Sequence, residues 1–274
     1  MKLKLLVLLF AASLGGCGDG SGGSGGSNGD AARWQPAVTD TWQWQLKDDI
    51  NTGYDVAIYD IDLLDVPVVT IATLHAAGKK VVCYFSAGSS ENWRSDFSEF
   101  NAADMGNPLD SVWVGEKWLD TRSANVRRIM LKRLDLAKAK GCDGVEPDNV
   151  DAYENDPGFP LTADSQLEYI RFLAGEAHAR GLAFGLKNNM NQLNELVDDV
   201  DFAVNEQCHE YDECAGYQIF ISKRKPVFNA EYADSYRYDA AARQAMCASS
   251  RALSIRTLIL PLELDDAFRH SCEL

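Results

Sequence analysis

Three times in this chain a helix-like run meets a glycine and passes at once into a short apolar strand: HAAGKKVVCYF (75–85), KAKGCDGVEP (138–147) and HARGLAFGL (178–186). Glycine just past a helix accepts the left-handed backbone that ends it, so each junction reads as a helix feeding a new strand. Strands separated by helices pair in parallel, because the helix returns the chain to the end where it started. The pattern predicts strands at 41–46, 56–62, 80–86, 144–148, 183–188, 202–206, 226–231 and 257–263. Helical stretches fill most of the gaps. In 124–141, Val126, Ile129, Met130, Leu134 and Ala137 share one face, with basic residues near the end. Eight strands with intervening helices fit an α/β fold, a closed (β/α)8 barrel. A doubly wound open sheet is the alternative, and no GxGxxG turn follows the first strand to support it.

The first residues are of a different kind. MKLKLLVLLFAASLGGC carries Lys2 and Lys4, then an apolar run from Leu5 to Ala12, too short to span a bilayer but arranged like a secretory signal. Its ending, Leu14-Gly15-Gly16-Cys17, resembles a bacterial lipobox and predicts lipidation at Cys17. Residues 1–16 are then a lipoprotein signal peptide, 17–33 a lipidated cysteine and Gly/Ser linker, and 34–274 the barrel domain. The GDGSGGSGGSNGD tether (18–30) spans roughly 20 Å as a flexible coil. The expected location is a bacterial membrane, at the outer membrane or cell surface, since Gly18 is not an inner-membrane retention Asp. Processing removes two lysines, so the formal charge of −15 becomes more negative still. That excludes nucleic acid as a partner and suits a cationic one. Six cysteines remain beyond Cys17, an even number for an oxidising compartment. Cys208–Cys214 and Cys247–Cys272 are the expected disulfides, with Cys83 and Cys142 read as buried thiols. A monomer is expected.

In a parallel barrel the chemistry gathers at the C-terminal ends of the strands. There the sequence places Asp60, Tyr84 and Ser86, Glu146 and Asp148, Lys187 and Asn188, Asn205 and Glu206, and Glu231. Alternation along GVEPD turns Gly144, Glu146 and Asp148 to one side, toward the barrel axis. Asp143 and Asp151 fall outside the strand and are assigned to caps or solvent. Two carboxylates across a barrel mouth suit glycosidic bond cleavage, one as acid and the other as nucleophile or base. Asp148 and Glu206, on the fourth and sixth strands, are that pair. Lys187 on the strand between them supplies the positive charge, either beside Asp148 or spent on an ion pair with Glu146. Trp44, Trp93 and Trp118 are candidate sugar-stacking faces, with core packing the competing role for each. Arg122 either pairs with Asp120 or contacts substrate.

CYFSAGSSENWRSD, WLDTRS, DGVEPDNVDAY, FGLKNN, NEQC and NAEY occur in this order. Together they resemble glycoside hydrolase family 114, the endo-α-1,4-polygalactosaminidase family, over roughly residues 40–265. The resemblance implies a (β/α)8 barrel that hydrolyses an α-1,4-linked galactosamine-containing polysaccharide. It also implies a catalytic Asp after the fourth strand and a catalytic Glu after the sixth, matching Asp148 and Glu206. Glu146 stands where Asp is usual in that family, a departure that bears on substrate contact. Trp44, Asp60, Tyr84, Ser86, Trp93, Trp118, Arg122, Glu146, Lys187, Asn188 and Glu231 are the expected substrate-binding residues. No cofactor or metal is expected: DNVDAYENDPG lacks EF-hand spacing, and there is no HExxH. The competing function is an anchored lipoprotein that binds an amino-sugar polymer without cutting it.

Overall fold

The computed structural model describes residues 33–273; the signal peptide, Cys17 and most of the Gly/Ser linker lie outside the described residues. Twelve strands follow in chain order: β1 Trp42–Gln45, β2 Ile58–Asp62, β3 Lys80–Ser86, β4 Ser89–Glu91, β5 Met105–Pro108, β6 Glu116–Leu119, β7 Gly144–Asp148, β8 Ala183–Lys187, β9 Phe202–Glu206, β10 Val227–Glu231, β11 Arg256–Ile259 and β12 His270–Ser271. The helices are α1 Val68–Ala76, α2 Ala124–Lys140, α3 Ala163–Ala179, α4 Leu193–Leu196, α5 Gln218–Ser222, α6 Asp234–Tyr238 and α7 Ala240–Leu253.

Eight of the strands pair in parallel in the order β1-β2-β3-β7-β8-β9-β10-β11, with β12 antiparallel on β11. This is a (β/α)8 barrel, and each of its strands overlaps one expected from the sequence. The eighth ends at Ile259 rather than 263, because Pro261 has no N–H to extend a ladder. The seam between β1 and β11 is closed partly by side chains. Trp42 Nε1 donates to the Arg256 carbonyl (3.0 Å), and Arg269, just before β12, donates to the Trp42 carbonyl (2.9 Å). A small antiparallel sheet, β4-β6-β5, is inserted after β3 and walls one side of the barrel mouth.

The helix-to-strand junctions are built as the glycines require: Gly78, Gly141 and Gly181 have φ of 75°, 88° and 78°. Ser123 and Thr162 cap α2 and α3, accepting from Asn125 N and Ser165 N. Strand alternation divides the core in two. Tyr59, Val81, Cys83, Phe85, Val145, Phe184 and Ala203 point out against the helices. Trp42, Ile58, Val82, Ala183, Phe202, Phe228 and Leu258 fill the interior, with Trp42 and Phe228 ring centres 5.2 Å apart. Cys208–Cys214 and Cys247–Cys272 are bonded as expected. Cys83 and Cys142 are not free thiols but a third disulfide. Cys83 points outward from β3 and Cys142 lies two residues before its neighbour β7, so the two meet on the same outer face. Among the described residues no helix is long and apolar enough to cross a membrane.

Candidate active site

Above the apolar interior the inward positions become charged. Glu146 and Asp148 come from β7, Lys187 from β8 and Glu206 from β9. The Lys187 ammonium sits among them: 3.1 Å from Glu146 Oε1, 3.3 Å from Asp148 Oδ1 and 3.3 Å from Glu206 Oε2. The Trp44 and Tyr84 rings flank it at 4.7 and 5.7 Å, presenting their electron-rich faces. Burial opposes a charge on Lys187, but Asp148, Glu146 and Glu206 outweigh it and hold the ammonium well above the ordinary lysine range. The lysine is a fixed cation.

Asp148 and Glu206 are held by donors on both oxygens. Asn149 N and Tyr84 OH donate to Asp148 Oδ1 and Oδ2, at 2.7 and 3.1 Å. Tyr232 OH and Asn188 Nδ2 donate to Glu206 Oε1 and Oε2, at 2.6 and 3.2 Å. Burial pushes the Glu206 carboxyl up, yet the Lys187 charge and the Tyr232 and Asn188 hydrogen bonds bring it below the usual glutamate range. The two carboxyls share Lys187 as a neighbour, so their Lys187-facing oxygens are no more than twice 3.3 Å apart. The chain then leaves the three strands through left-handed residues: Asn149 (φ 59°), Asn188 (φ 45°) with Asn189 (φ 52°), and Gln207 (φ 63°). Such backbone is rare outside glycine, and its recurrence beside the charged layer fits strain kept at a working site.

A cavity of about 560 Å³ opens over this layer, a size suited to a small ligand or part of a polymer. Its lining carries eight carboxylates against three cationic side chains, Lys47, Arg94 and Lys187. Trp93, Val112, Trp113 and Val114 from the β4–β6 region and Leu262 from the far rim add apolar surface, with Trp93 and Leu262 about half exposed. Burial pushes Glu116, at the end of this wall, up to about 7, with Glu91 and Asp148 adding to the rise; Ser89 Oγ donates to it at 2.6 Å.

Comparison with known proteins identifies the family. The family model "Glycoside-hydrolase family GH114" matches residues 24–274. The chain belongs to family GH114. A solved structure of Ega3 from Aspergillus fumigatus, in complex with galactosamine, is 45% identical, with a TM-score of 0.83 over 89% of this chain and all of that one. The glycoside hydrolase domain of PelA from Pseudomonas aeruginosa shares the fold at 14% identity (TM-score 0.65, 83% of this chain and 96% of that one). An uncharacterized protein from Deinococcus radiodurans is 26% identical over 182 residues, which make up 58% of each chain.

Within this GH114 barrel the sequence-predicted residues fall into three groups. Asp148, Glu206, Lys187, Asn188, Tyr84, Trp44 and Trp93 line the cavity. The Trp44 ring face is occupied by Lys187 and the residue is 1% exposed, so it serves the lysine rather than an open stacking surface. Asp60, Glu146 and Ser86 lie beneath: Ser86 Oγ accepts from Asn149 Nδ2 (2.9 Å), steadying the residue beside Asp148. Trp118, Arg122 and Glu231 sit outside the cavity lining. Trp118 is buried on β6, and Arg122 is tied to Asp120 (2.8 Å). Glu231 follows the outward register of Val227 and Asn229, accepting from Asn229 Nδ2 (3.0 Å) and His209 N (2.8 Å). The same alternation turns Phe228, Ala230 and then Tyr232 inward. Applied to NAEY, that parity would have selected Tyr232. Asp151, assigned to caps or solvent, lines the cavity, and burial together with Asp148 pushes it up to about 6. Trp113 was missed; its signal is the SVWVG run, apolar residues in a loop with no strand or helix to bury them.

Proposed function

We propose that this GH114 protein hydrolyses a galactosamine-containing polysaccharide, with Asp148 as nucleophile and Glu206 as general acid and base. The observation that carries the reading is the pair itself: two strand-end carboxylates, held by donors on both oxygens and bracketing one buried lysine under an acidic cavity. The Lys187-facing oxygens of the two carboxyls lie within twice 3.3 Å of each other, compatible with a retaining arrangement, in which the carboxyls stand about 5–5.5 Å apart. In the first half-reaction Asp148 attacks the anomeric carbon as Glu206 gives its proton to the departing glycosidic oxygen. In the second, water attacks the glycosyl–Asp148 ester while Glu206 takes the water's proton, which frees Asp148. The excess of carboxylates suits a cationic, deacetylated polymer, in keeping with the galactosamine bound by Ega3. Trp93 and Trp113 offer faces for pyranose stacking.

The proposal extends to export and anchoring through Cys17, checked by fatty-acid labelling of the full chain that is lost in Cys17→Ser. Activity is tested by reducing-end release from a partly deacetylated α-1,4-galactosamine polymer. Asp148→Asn and Glu206→Gln should each lower kcat/KM by about 10³-fold or more with the fold intact. Because Glu206 is held below the usual range, its acid form is populated only at low pH. The rate should therefore fall tenfold per unit as pH rises past weakly acidic values. Polymer binding without cleavage by the parent would instead identify an anchored binding protein, and a rate that is flat through neutral pH would remove Glu206 from the acid role.

A further inference from the structure

Asp60 on β2 and Glu146 on β7 form a second carboxylate pair directly below the reacting one. They are 1% and 0% exposed, near enough for each to act on the other's carboxyl, and absent from the cavity lining. Hydrogen-bond donors are distributed unequally between the two layers. Asp148 and Glu206 each accept two hydrogen bonds, from Asn149 and Tyr84 and from Tyr232 and Asn188. Asp60 Oδ1 accepts no hydrogen bond from the described residues, and Glu146 has only the Lys187 ammonium, 3.1 Å from Oε1, which Asp148 and Glu206 share. Most other inward groups nearby are committed: the Tyr84 and Tyr232 hydroxyls to the upper carboxylates, the Trp44 ring face to the ammonium, and Asp62 to Arg94 (2.6 Å). The Trp44 Nε1–H, on the register neighbour of Asp60, has no partner among the described residues.

An ionised carboxylate can only accept. Two of them facing each other in a dry interior, with one ammonium that two further carboxylates also claim, repel strongly unless a proton lies between them. We infer that Asp60 and Glu146 hold one proton between them, a positioning pair whose single negative charge seats Lys187 beneath Asp148 and Glu206. Burial raises both carboxyls, Glu146 to about 7 and Asp60 well above its ordinary value, the nearby Glu146 charge adding to the rise at Asp60. The pair acts on the reaction through the lysine. Its one negative charge offsets the pull of the ammonium on Glu206, so more of the acid form survives at a given pH than Lys187 alone would allow. Using Asp or Glu at position 146 changes the reach toward Lys187, which gives this chain's Glu146 a role without substrate contact.

The test is a cycle of Asp60→Asn, Glu146→Gln and the double variant, all near-isosteric, and its kinetic arm rests on the glycosidase reading. A pair that shares one proton keeps its charge when either member is replaced, because the new amide donates to the remaining carboxylate. The alkaline limb of kcat/KM should therefore stay within about 0.3 pH unit in each single variant, whatever the rate, and move acidward by about one unit in the double variant. The sign follows from removing a negative charge near Lys187 and Glu206. Acidward shifts in both single variants mean two independently ionised carboxylates, and no shift in the double variant means a merely structural pair; either overturns the inference. Infrared difference spectra of the same proteins at neutral pH, without polymer, supply the second readout. The carboxylic acid C=O band should be present in the parent and lost in each single variant. A parent lacking the difference band overturns the shared proton even if no polymer is cut. A band without any cleavage supports the pair and counts against the glycosidase reading alone.

Discussion

Two carboxylate-rich clusters lie side by side in this barrel and solve opposite problems. Around Arg94 and Arg133, the inserted sheet and α2 gather Asp62, Asp65, Glu91 and Asp96. Arg94 reaches Asp62, Asp65 and Glu91 at 2.6, 2.8 and 2.8 Å, and Arg133 reaches Asp96 at 2.9 Å and the Ser86 carbonyl at 2.6 Å. Two forked guanidiniums match most of the acceptors, and the result is a brace between β3, its insertion and α2. Around Lys187 a single ammonium serves three carboxylates, Glu146, Asp148 and Glu206, and Asp60 Oδ1 below them accepts no hydrogen bond from the described residues. The first cluster has two cations that fork to several acceptors each, and it holds structure. The second is left short of positive charge, so its protons and charges respond to what binds above it.

The contrast can be broken most severely at its two cations. Lys187→Met should lower kcat/KM by about 10²–10³-fold, because Asp148 and Glu206 lose their common counter-ion. If instead activity survives and only the melting temperature falls, Lys187 belongs with the brace. Arg133→Met should do the reverse: chemical denaturation should show a loss of about 2–4 kcal/mol as the buried Ser86 carbonyl and the partly buried Asp96 lose their guanidinium, with kcat/KM of the folded protein little changed. Removing the Cys83–Cys142 bridge by a double Cys→Ser change tests a covalent counterpart of that brace. The bridge spans 59 residues, so about 2–4 kcal/mol should be lost, again without selective loss of catalysis. The smallest effect is expected at the rim. Trp113→Ala should raise KM several-fold, about 1 kcal/mol, and leave kcat nearly unaltered.

Much of this was open to reading in the chain. Gly78, Gly141 and Gly181 announced three junctions, and the eight barrel strands followed from short apolar runs between helical ones. Alternation put Glu146 and Asp148 on the axis, and the motifs around Asp148, Lys187 and Glu206 carried the family. Alternation also had limits when it was not applied. Glu231 looked like one more polar strand end, while its neighbour Tyr232 was the residue turned toward Glu206. Trp118 and Arg122 sat in a motif-like stretch, yet the inserted sheet turns one into its core and lets the other pair with Asp120.

Local periodicity and backbone stereochemistry act over a few residues, so the sequence by itself determined the element order, the barrel class and which side of β7, β8 and β9 faces inward. It also singled out Asp148 and Glu206 as the candidate pair. Distances between side chains on different strands depend on register and on how the sheet curls, and those are settled only when the whole barrel packs. Tertiary structure alone therefore decided that one lysine touches three carboxylates, that Asp60 lies buried beside one of them, Glu146, and that Cys83 bonds to Cys142. The charge of each of these groups is a property of its neighbours, and most of those neighbours lie on other strands of the barrel.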